Sequence, residues 1–74
     1  MTPTQFTRAG RLLFGTYWQT DMAPVIEVSR KQVKRLADGD GKMKDEYRMA
    51  IRKELRTLVA DIDCLLAELS VSEE

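Results

Sequence analysis

The stretch that decides the fold is Gln19–Leu36, QTDMAPVIEVSRKQVKRL. Its apolar residues are Met22, Ala23, Val25 and Ile26, then Val28, Val33 and Leu36. That spacing predicts two short helices joined by a turn at Glu27-Val28. The first is expected from Gln19 or Thr20 to Ile26, with Thr20 or Thr16 as cap. If Thr20 caps, Pro24 falls at the edge of the first turn, where its missing N–H costs little. Ser29 is a good N-cap for the second helix, expected to reach about Ala37.

Arg30, Lys31, Lys34 and Arg35 crowd four positive charges into this second helix. The whole chain is nevertheless neutral, with 12 basic and 12 acidic residues. The neutral total hides a split. Residues 1–36 hold six basic against two acidic residues, and residues 37–74 hold six against ten. Beyond Arg56 every charge is acidic. Such a division of sign points to a binding face, and the first candidate partner for a cationic face is nucleic acid.

Moving outward, Thr2-Pro3-Thr4-Gln5 reads as a helix start, with Thr2 as cap, Pro3 in the first helical position and Gln5 reaching back. Phe6, Ala9, Gly10 and Leu13 form its apolar stripe, and Gly15 is the expected stop. On the other side Asp38-Gly39-Asp40-Gly41 breaks the chain. A long helix is expected from Met43 or Asp45 to Leu69, with Ser70 to Glu74 frayed. Ile51, Leu55, Leu58, Ile62, Leu65 and Leu69 alternate four and three apart, a heptad seam that Tyr47, Val59 and Leu66 widen. The Tyr47–Leu55 end is expected to dock on the N-terminal helices. Leu58, Ile62, Leu65 and Leu69 are the candidate dimerisation residues, with packing inside one protomer as the alternative.

Size favours a second chain. A single domain of 74 residues buries a small core and is marginal alone. Cys64 is the one cysteine, so no disulfide helps, and there is no histidine to suggest a zinc site. The lone thiol suits a reducing compartment, and the expected location is cytoplasmic. No apolar run reaches membrane-spanning length, and MTPTQFTRAGRLLFG has arginines where a signal peptide needs an apolar core.

The chain WQTDMAPVIEVSRKQVKRLADGDG, about residues 18–41, resembles the helix-turn-helix of small bacterial and phage regulators of the Cro/CI type. A Trp-Gln pair opens the motif, and a basic helix runs into a glycine-containing turn. The resemblance spans about residues 10–69, its specific part about 19–38. It implies sequence-specific binding of double-stranded DNA, usually as a homodimer. By position it gives Arg30, Lys31 and Arg35 base-reading roles and Gln19 a phosphate contact. Thr20, Ser29 and Lys34 complete the expected DNA-binding set.

Three residues depart from the pattern. Glu27 stands where glycine is preferred, so its φ is expected to be positive, at a cost of roughly 1 kcal/mol. It also brings an acid near the DNA-facing turn. Leu36 replaces a frequent tryptophan, and Pro24 stands where a longer side chain is usual.

Other motifs carry less. The Asp38–Gly41 run starts like a calcium loop, but Lys42 and Met49 fall where oxygen ligands belong. Tyr17 and Trp18 are expected to pack in the core or staple the second helix. Cys64 has no base partner, and Asp61 and Asp63 do not share a helix face, so no catalytic group is indicated. The sequence therefore predicts an all-α protein of one domain, with a helix-turn-helix in a three-helix head and a C-terminal helix at about residues 43–69. It is expected to act as a DNA-binding transcriptional regulator, a repressor, without cofactor, metal or enzymatic activity. The rival is a protein-binding module on the same scaffold, such as a phage-encoded inhibitor of host defence or an antitoxin.

Overall fold

Thr2 opens the first helix as its sequence predicts. Its hydroxyl accepts from the Gln5 amide at 3.1 Å, and the Gln5 side-chain oxygen accepts from the Thr2 amide at 3.0 Å. Two amides that a helix start leaves unpaired are thereby satisfied. Helix α1 runs Pro3–Phe14 and stops at Gly15, whose φ of 81° suits a residue without a Cβ. In this computed structural model residues 1–72 are described, 71 and 72 by their backbone alone. Their secondary structure is helical, with no strand among them.

Helix α2 runs Trp18–Val25, α3 Arg30–Ala37 and α4 Asp45–Ser72. Three expectations need correction. Helix α2 starts before Gln19, with Tyr17 at its N-cap and no side-chain cap, so neither Thr16 nor Thr20 caps it. Pro24 is consequently inside the helix, where it deprives the Thr20 carbonyl of an amide partner. Helix α4 continues past Leu69 through Ser72, where fraying from Ser70 was expected. The remainder of that expected frayed tail, residues 73 and 74, lies outside the described residues.

The connection after α2 turns on Glu27, whose φ is 57°. With Glu27 left-handed, the Val28 amide reaches back to the Ala23 carbonyl at 3.0 Å. Ser29 then caps α3 by accepting from the Gln32 amide at 3.1 Å. The far end of α3 closes in a Schellman motif. Gly39, at φ 86°, donates to Leu36 O, and Asp40 donates to Arg35 O.

The core lies where α1, α2, α3 and the start of α4 meet. Phe6, Met22, Val33 and Leu36 are fully buried, joined by Ala9, Trp18, Ile26, Tyr47 and Ile51. Phe6 and Trp18 meet edge to face, with ring centroids 5.4 Å apart. Beyond Ile51, α4 leaves the head: Leu55 and Leu58 are half-buried, and from Val59 to Ser70 every residue is exposed. The 28-residue helix gives the molecule a long axis of 51 Å. Its radius of gyration is 14.6 Å, against about 11 Å for a compact chain of this length.

Candidate nucleic-acid interface

Val33 and Leu36 anchor α3 in the core, and this fixes where its charges point. At about 100° per residue, Lys31 lies opposite the midpoint of those two anchors. Lys34 and Arg35 stand to either side of it, and Arg30 lies at the edge of the same face. All four cations are exposed. Lys34 binds Asp38 one turn on, Nζ to Oδ2 at 3.0 Å. Arg30, Lys31 and Arg35 have no ion pair among the described residues.

A cleft of about 310 Å³ opens beside Arg30. Arg11 from α1, Thr16 and Tyr17 from the connection, and Trp18, Gln19 and Thr20 from the first turn of α2 complete its lining. Sequence-expected Gln19, Thr20 and Arg30 are thus brought together, across an interval of ten residues. Gln19 is half-buried and Thr20 exposed. Because Tyr17 offers no capping bond, the first amides of α2 have no side-chain acceptor. A helix start with free amides carries partial positive charge, and two guanidinium groups line the same cleft. The arrangement suits an oxyanion such as a phosphate.

Ser29 lies between the two helices, and its hydroxyl oxygen is engaged as an acceptor for the α3 cap. Its O–H remains available to donate. The expectation that Tyr17 packs in the core is corrected. Trp18 takes that place at 3% exposure, and Tyr17 stands 86% exposed at the cleft. Arg11, Thr16, Tyr17 and Trp18 line this cleft without having been among the DNA-binding residues expected from the sequence. A tyrosine just ahead of a buried tryptophan was the one signal available.

Elsewhere the donor set for chemistry is thin. No group of three or more His, Cys, Asp or Glu side chains could hold a metal among the described residues. Cys64 is exposed on α4. Among the described residues no helix is long and apolar enough to cross a membrane. The expected dimerisation residues are on one stripe of α4, with Leu58 half-buried and Ile62, Leu65 and Leu69 about half exposed. The chain matches no protein-family model, no curated protein and no solved structure.

Proposed function

We propose that the protein binds double-stranded DNA sequence-specifically, as a small cytoplasmic transcriptional regulator of the Cro/CI-like kind. In this reading α2, the Ile26–Ser29 connection and α3 form a helix-turn-helix, and α3 enters the major groove. The observation that carries it is the exposed cationic face of α3, three of whose four charges make no ion pair among the described residues, beside the cleft that Arg11 and Arg30 line. Arg30 and Arg35 read base edges, guanine above all, through paired donors worth about 1–3 kcal/mol of discrimination. Lys31 and Lys34 contribute salt-dependent affinity by displacing counterions from phosphate. Arg11, Gln19 and the open start of α2 take a backbone phosphate and fix the register of α3. Occupancy of an operator then represses by exclusion, with no catalytic step, cofactor or metal.

Selection of bound duplexes from a random pool tests the reading directly. A consensus should emerge, and Arg30→Ala combined with Arg35→Ala should abolish its binding while Trp18 stays buried. A wild-type chain with no salt-sensitive retention on DNA at low salt would overturn it. A protein-binding role for the same head is the second reading. It is favoured by Glu27, exposed on the connection ahead of α3, and by the acidic distal part of α4.

A further inference from the structure

The distal half of α4 carries an apolar face into water. Val59, Ile62, Leu65 and Leu66 are 58%, 48%, 53% and 57% exposed. We propose that this face is the docking surface for a second copy of the chain. The heptad places Leu58 and Leu65 at d and Leu55, Ile62 and Leu69 at a, an apolar seam of the kind that paired helices bury between them. From Leu55 to Leu65 the a and d positions hold no polar residue, so pairing buries no charge.

The area is also of the right size. A compact monomer of 8.5 kDa exposes about 4,700 Å². This chain exposes 5676 Å². The surplus, about 1,000 Å², matches the roughly 800 Å² that each partner contributes to a stable interface. Charge argues against nucleic acid here, because Asp61, Asp63 and Glu68 are the only charged residues between 57 and 70. Salt therefore separates the two surfaces. Raising it strips a cationic face from DNA, yet it screens the acids and leaves apolar pairing in place.

Sedimentation equilibrium of the full chain, without nucleic acid and over a concentration series, tests the inference independently of the DNA reading. The expected mass is two protomers, retained at raised salt. Ile62→Glu with Leu65→Glu should give one protomer while the emission of Trp18, the single tryptophan, stays that of a buried indole. A wild-type mass of one protomer at every concentration overturns the inference and leaves the cationic face untouched. So does a double variant that still dimerises. Should the double variant lose the buried Trp18 signal, Leu65→Ala takes its place. It should weaken self-association about tenfold or more with the head intact, and an unchanged dissociation constant overturns the inference.

Discussion

Gly10 lies so close beneath the indole of Trp18 that a Cβ on residue 10 would stand 2.1 Å from the ring carbon Cε3. Inside a helix, alanine is ordinarily better than glycine by roughly 0.5–1 kcal/mol. Here the sign reverses. Trp18 is held by its edge-to-face contact with Phe6 and cannot retreat without opening the core. Gly10→Ala is therefore expected to destabilise by about 1–3 kcal/mol, the usual range for overpacking. For a domain of this size each kcal/mol moves the melting temperature by roughly 4–8 °C. Thermal melts followed by circular dichroism check it, and a Tm equal to or above wild type would contradict the packing.

Glu27 holds a left-handed conformation that costs a residue with a Cβ about 1–2 kcal/mol. Glycine removes the strain but loses more entropy on folding, so Glu27→Gly should gain about 1 kcal/mol or less. Asparagine, which tolerates this region, should gain less still. Alanine keeps the strain and should gain nothing. All three remove a negative charge from the connection ahead of α3, so all three should bind DNA more tightly at low salt. Comparing stability with affinity across the series separates strain from charge. An alanine variant as stable as the glycine variant would show that the turn is unstrained.

The sequence makes most of these elements readable, and for local reasons. Thr2 and Gln5, Ser29, and the heptad from Ile51 carry their information within a few residues. The positive φ at Glu27 was instead an expectation from the resemblance, which prefers glycine at that place. The start of α2 was not readable, because Tyr17 is a poor capping type and two threonines nearby are better ones. Trp18 sets the boundary by burying against Phe6 and Gly10, contacts that span eight residues or more. Arg11 escaped for the same reason. Its place beside Gln19 and Arg30 exists only once three helices are assembled. Fraying from Ser70 was expected of a chain end, yet the Ser70 hydroxyl donates to the Leu66 carbonyl at 2.9 Å and the helix runs on through Ser72.

Pro24 interrupts α2 from inside. It leaves the Thr20 carbonyl without its amide and is itself exposed, so replacing it removes no core contact. Pro24→Ala should stabilise the fold by about 1–3 kcal/mol, the upper bound being the cost of an interior proline and the lower allowing for the freer unfolded chain. Chemical denaturation is the suitable measurement, because a raised midpoint at an unchanged slope reports a gain in stability with no change in the surface exposed on unfolding. A variant of lower stability than wild type would mean that Pro24 fixes a bend the core needs.

Among the described residues Lys34 is the one cation on α3 tied to an acid, and that pair gives the DNA reading its sharpest test. Asp38→Asn releases the ammonium from its partner 3.0 Å away and should strengthen duplex binding at low salt. Both groups are more than half exposed, so stability should hardly change. Arg11→Ala acts on the other side of the cleft. It should weaken binding to all duplexes alike and lower the salt slope by about one ion, as loss of a phosphate contact does. Arg35→Ala should instead relax the sequence preference at one or two base pairs. Binding isotherms at several salt concentrations, on the selected duplex and on scrambled ones, distinguish the three. If Arg11→Ala and Arg35→Ala gave the same pattern, α3 would not be reading bases, and the cationic face would serve only as a general anchor to phosphate.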